Sequence, residues 1–170
     1  MAKTDSDNEY EDPFYYDEVD KELYDFANRI IRNKSGNSES TVTVGYLSKE
    51  KCEAISAALS DSDYKFSPRV VIDADTIRHI INDHGLNGTT DQSMRDIKDI
   101  ARMSYVLANF DNVEYFGKKS KRYRKTDNSF APQVVLSKRI NGTYYIIEAV
   151  CDGKKNISYV VSAFINKKRV

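Results

Sequence analysis

The segment Arg78-His79-Ile80-Ile81-Asn82-Asp83-His84-Gly85 holds both histidines of the chain, five positions apart. Histidine is the side chain whose unperturbed titration falls near neutral pH. Two imidazoles in one short stretch therefore suggest acid–base chemistry. Metal binding fits the spacing less well. A zinc-binding helix places histidines at i and i+4 on one face, whereas a separation of five sets two helical rings about 140° apart. No third ligand stands nearby. The two cysteines, Cys52 and Cys151, form neither a CxxC pair nor a mixed His/Cys pattern, and read as buried thiols of a reducing compartment. No metal and no cofactor is expected. The chain also lacks a Gly-rich phosphate loop, a nucleophile elbow and a paired-carboxylate motif.

Phosphodiester cleavage without a metal needs a substrate that carries its own nucleophile. RNA does so in its 2′-hydroxyl. The protein then supplies a base for that hydroxyl, an acid for the departing 5′-oxygen and cations for the phosphate. His79 and His84 can exchange protons, and Arg78 lies beside them. Lys138, Arg139 or Lys167 can take phosphate charge. Ser162 or Tyr145 can donate hydrogen bonds. His84 also continues an apolar helical stripe, which suits a buried or helix-capping histidine equally well. Further along, Lys118-Lys119-Ser120-Lys121-Arg122-Tyr123-Arg124-Lys125 sets six cations and one tyrosine in eight residues. Cations for phosphates and a ring for a base suit a single-stranded polyanion. A mobile, solvated loop is the competing reading.

The elements that must hold these groups follow from periodicity. The stripe Val19, Leu23, Phe26, Ile30 predicts a helix over 18–33. Residues 41–47 alternate Val42, Val44 and Tyr46 as a strand does. Ser48 is placed to cap a helix through Leu59. Val70-Val71-Ile72 is a short apolar strand, and Asp73 or Asp75 caps the next helix. That helix carries Ile77, Ile80, Ile81 and His84 and stops at Gly85, a C′ glycine. Thr89-Thr90-Asp91 starts another, with Met94, Ile97, Ile100 and Ala101 inward, and helical turns reach about Phe110.

The period then becomes two. Strands are expected over 113–116, 132–140, 143–150 and 157–165, with residues 117–128 as a basic loop. Asn141-Gly142 and Asp152-Gly153 are strong hairpin signals. Two-residue turns there would set Ile140 opposite Thr143, Lys138 opposite Tyr145, and Tyr145 opposite Val160. Lys138, Tyr145 and Ser162 would then share one face. Ser137, Arg139, Tyr144, Glu148 and Tyr159 would share the other. The expected fold class is α+β, with N-terminal helices packed on a four-stranded antiparallel meander.

A net charge of zero hides an asymmetry. Residues 1–25 carry ten acids against two lysines, residues 26–110 balance, and residues 111–170 carry thirteen Lys/Arg against five acids. The basic end is the footprint of a polyanion partner. The acidic segment, tethered nearby, would compete for that surface at low salt. The expected organisation is an acidic tail over 1–17, a helix-and-strand extension over 18–66 and an α+β domain over 67–170 that holds the candidate site. With 40% apolar residues the chain can bury a core, but no run is long enough to span a bilayer. No secretory h-region is visible, so a cytoplasmic location is expected.

Several blocks resemble the barnase–EndoU–colicin E5/D–RelE-like nucleases, in the version found in phage proteins and fused to MuF-type phage head proteins. They are Val71-Ile72-Asp73 running into Arg78-His79-Ile80, then His84-Gly85, the helix Met94–Ile100, and Asp111-Asn112-Val113. The Ser137-Lys138 strand and Ser162-Ala163-Phe164 follow. Upstream, Val44-Gly45-Tyr46-Leu47-Ser48 before a Glu/Ala-rich helix is also similar. The resemblance covers about residues 42–168. It implies two helices before a four-stranded antiparallel sheet, and a toxin-like or phage-associated endoribonuclease that needs no metal. It places that group's histidines on His79 and His84 and its basic strand position on Lys138. Its usual threonine near the last strand is Ser162 here, and a tyrosine two further on is Phe164. The implied partners are RNA and a cognate inhibitor protein or a phage head protein, with delivery in a phage particle as the alternative to the cytoplasm.

A non-catalytic nucleic-acid-binding module and a phage structural or interaction domain are the competing functions. The histidine pair favours the enzyme, the basic run fits enzyme and binder equally, and the acidic segment favours the interaction domain.

Overall fold

A computed structural model of the chain describes residues 19–33, 40–60 and 65–168. The acidic segment 1–17 lies outside them. The first helix, α1 (Lys21–Arg32), starts where the Asp20 carboxylate accepts the Leu23 amide at 3.1 Å, and it buries Leu23, Phe26, Ala27 and Ile30. Strand β1 (Thr41–Tyr46) turns Val42 and Val44 inward. Helix α2 (Lys49–Leu59) is capped by Ser48 as its sequence predicts. Strand β2 (Arg69–Asp73) runs directly into α3 (Ala74–His84), and Asp73 caps that helix by accepting the Thr76 amide at 2.8 Å.

The short helices α4 (Ile97–Ala101) and α5 (Met103–Asn109) follow. Strands β3 (Asn112–Glu114), β4 (Lys119–Arg124), β5 (Phe130–Ile140), β6 (Thr143–Asp152) and β7 (Ile157–Asn166) complete the described chain. One hydrophobic core takes side chains from α1 through β7. No described helix is long and apolar enough to cross a membrane.

The class is α+β, but the sheet is not a four-stranded antiparallel meander. It has seven strands in the order β1-β2-β7-β6-β5-β3, with β4 paired to β5. β2 and β7 run parallel, joining Val70 and Val71 to Ser158 and Tyr159. A parallel pair needs a long crossover, and everything from α3 to β6 serves as one. Because Val70, Val71 and Ile72 are all buried, β2 reads as the continuous apolar run of an interior strand.

Other local expectations are corrected too. The Thr89–Asp91 segment starts no helix. The amides of Thr89, Thr90 and Met94 instead satisfy the last carbonyls of α3, at Asn82, Asp83 and His84. The next helix waits for the Asp96 cap and its reciprocal partner Asp99. Gly85 has φ −78° rather than a left-handed conformation. A Cβ there would lie 2.5 Å from the Ile81 carbonyl oxygen, so glycine is required for close approach.

The β5–β6 hairpin keeps the register its turn predicts, with Ile140 opposite Thr143 and Lys138 opposite Tyr145. The β6–β7 register moves. Four residues separate these strands, and Asp152 accepts the amides of Lys154 and Lys155 across that loop. A bulge near Val161 adds a further offset, leaving Tyr145 opposite Ile165 and Glu148 opposite Ser162. Ser162 therefore shares a face with Glu148, not with Lys138 and Tyr145.

Candidate functional site

The run 117–128, expected as a loop, contains β4, and β4 shapes a strongly basic concavity. Its charges alternate with two inward residues, Ser120 and Tyr123. The Ser120 hydroxyl accepts the amides of Arg122 and Tyr123 at 3.0 and 2.9 Å. Tyr123 stacks on Tyr159 of β7, centroids 4.6 Å apart and planes within 16°. Arg122 reaches Asp73 at 3.3 Å, so a single carboxylate caps α3 and ties β4 to it. The Gly153 amide donates to the Arg124 carbonyl, and the Gln133 amide to that of Lys118.

These anchors hold β4 over one sheet face and leave a cleft of about 480 Å³ between it and α3. Asp75, Thr76 and His79 form one wall, residues 118–123 the other, with Gln133 and Val161 between them. His79 projects from α3 with its side chain 48% exposed, and its Nδ1 lies 3.4 Å from an Asp83 carboxylate oxygen. That contact orients the ring and leaves Nε2 as its free edge. Lys118 pairs with Glu148 of β6 at 3.7 Å. Lys119 and Lys121 are exposed and have no carboxylate partner among the described residues. Burial pushes the Tyr123 phenol well above its usual range against the pull of Arg122, with Asp73 adding to the rise. Tyr123 is therefore a neutral packing group.

The structure gathers only part of the expected site. His79, Lys118, Lys119, Lys121 and Arg122 line the cleft. Arg124 and Lys125 continue from it, and Arg78 pairs with Asp75 on the adjacent helical turn at 3.1 Å. His84 lies elsewhere. It is buried, with Nδ1 3.0 Å from Asp91 and its ring stacked on Phe164 at 5.1 Å. Burial opposes charge on Asp91, but the Ser93 amide and hydroxyl together with His84 outweigh it and hold the carboxyl below its ordinary value.

Lys138 is outside the cleft, 3.4 Å from Asp111. Tyr145 is fully buried and donates its hydroxyl proton to the Asp99 carbonyl. Its burial raises the phenol far above the usual range, with Asp99 adding to this and Arg102 opposing it. Ser162 is buried beside the cleft floor, across from Glu148. Lys167 is exposed just past the end of β7. No three His, Cys, Asp or Glu side chains gather as a metal site among the described residues.

Sequence reasoning missed Glu148, Asp73, Asp83 and Gln133 as parts of this site. For Glu148 a signal exists, since it is the one charged residue in the apolar run Ile146–Cys151. A lone carboxylate there marks a sheet face that meets something polar. Asp83 was also legible, four residues after His79 on one helical face.

No curated protein and no solved structure matches the chain. Residues 48–170, from the cap of α2 onward, match the family model for phage-Barnase-EndoU-ColicinE5/D-RelE like nuclease3. That span contains α3, β4 and both walls of the cleft. With most of its length matched, the chain belongs to this phage-associated nuclease family.

Proposed function

We propose that the protein is an endoribonuclease that cuts RNA by attack of a 2′-hydroxyl on the adjacent phosphate, without a metal ion. One observation carries the proposal. A half-exposed imidazole, His79, faces the cations of β4 across one cleft. Membership of a nuclease family supports the reaction class.

In this reaction the O2′–phosphorus bond forms and the phosphorus–O5′ bond breaks. The products are a 2′,3′-cyclic phosphate and a 5′-hydroxyl. Protonated His79 gives its Nε2 proton to the departing 5′-oxygen, while Asp83 steadies the ring through Nδ1. Glu148, held against Lys118 of the cleft wall at 3.7 Å, takes the 2′-hydroxyl proton. Lys119, Lys121 and Arg122 stabilise the charge that builds on the phosphoryl oxygens. In this scheme His84 acts at a distance, holding the 85–96 segment against α3 through Asp91. Lys138 and Ser162 have no direct contact with the reacting phosphate.

The test is incubation of the full chain with single-stranded RNA, and with DNA of the same sequence, in excess EDTA. RNA should be cut to cyclic-phosphate ends while the DNA stays intact. Cleavage of DNA at a comparable rate, or loss of RNA cleavage in EDTA, would overturn the proposal.

A further inference from the structure

The tyrosine inside the basic run is not free to stack on a base. Tyr123 is 8% exposed and already stacked on Tyr159. Two phenylalanines are exposed instead, and they bracket β4. Phe116 is 59% exposed and precedes Gly117, whose φ of 83° makes the bend into the strand. Phe130 is 39% exposed and sits opposite Arg124 at the other end.

The Phe130 ring is a built platform. The Arg124 guanidinium lies over it, 4.2 Å from the centroid, and donates to the Asn128 carbonyl at 2.6 Å. Lys154 holds the Asn128 side chain at 2.6 Å. A ring with a fixed planar cation beside it suits a nucleobase, because stacking and cation–π attraction act on any base face. Between the two rings stand Lys119 and Lys121, on a strand about 20 Å long.

We propose that β4 is a track for single-stranded nucleic acid. Phosphates lie along Lys119 and Lys121, one base stacks at Phe130–Arg124, and a second stacks on Phe116. A duplex keeps its bases inside the helix and could offer neither ring a free face. The proposal deepens the ribonuclease reading, whose cleft shares this strand, and names single-stranded RNA as its substrate class.

The experiment is fluorescence anisotropy of the full chain with an oligouridine methylated at every 2′-oxygen. That probe binds but cannot be cut by 2′-attack. Phe130→Ala and Phe116→Ala should each weaken binding about 5- to 150-fold and leave the slope of log K against log salt unchanged. Lys119→Gln and Lys121→Gln should each flatten that slope by about 0.7. Should an alanine variant unfold, Phe130→Leu and Phe116→Leu keep apolar volume without a ring and should weaken binding as well. Wild-type affinity in the phenylalanine variants would overturn the track, as would equal affinity for a duplex of the same length. The two readings separate cleanly. Absent cleavage with this binding pattern intact sinks the catalytic scheme alone. Cleavage with no effect of the phenylalanines sinks the track alone.

Discussion

His79 and His84 lie on one helix, and their spacing decides their environments. Five residues turn the second ring about 140° from the first, so one faces the cleft and the other the interior. The stripe Ile77, Ile80, Ile81, His84 made the inward direction of His84 legible. What it could not show was the partner, because Asp91 arrives from a segment that resembles a helix start. Asp91 gives this pair a pH signature. Its carboxyl is held below the ordinary value in the folded state, so its stabilising contribution is full above the unfolded value of about 3.9 and is lost as pH falls through the folded value. The difference in urea midpoint between wild type and Asp91→Asn should therefore be widest near neutral pH and should close as pH falls from about 5 towards 2. A difference equally wide at both ends of that range would show that the charge contributes nothing.

Among the elements, turns were readable where two residues settle the backbone. Asn141 and Gly142 have φ of 51° and 79°, the paired positive values of a type I′ turn, and the β5–β6 register follows. Asp152-Gly153 looked the same in sequence. There the Asp152 side chain organises a longer loop that ends at Asn156, φ 55°, and five positions of register were misread. β4 escaped notice because four outward cations mask an inward Ser120 and Tyr123, and two inward residues are too few to announce a period. The segment after α3 offers a test at this scale. A Cβ on Gly88 would lie 2.6 Å from the Asp83 carbonyl oxygen and closer still to that of Asp91. Both are backbone atoms, and the Asp83 carbonyl already accepts the Thr90 and Asp91 amides. Gly88→Ala should cost about 1–3 kcal/mol of stability, seen as a lower urea midpoint. An unchanged midpoint would mean that the segment yields freely.

At the scale of the molecule, the sheet unites what the sequence keeps far apart. The β2–β7 pair places residues 70–71 against 158–159, a juxtaposition that no local pattern encodes. It brings α3, which leaves β2, alongside the β7 segment over which β4 folds. The charge asymmetry was legible from composition, and the basic end does supply one wall of the cleft. Which of its cations meet His79 depended on β4 crossing the sheet through Tyr123 and Arg122. The most direct measurement is therefore the single-turnover rate of RNA cleavage by His79→Ala and His84→Ala in EDTA, read beside their thermal unfolding. His79→Ala should lose about 10²- to 10⁴-fold in rate with its unfolding temperature unchanged, while His84→Ala should unfold at a lower temperature and, where still folded, keep most of its rate. A His79→Ala protein that cleaves as fast as wild type would contradict the assignment of chemistry to this cleft.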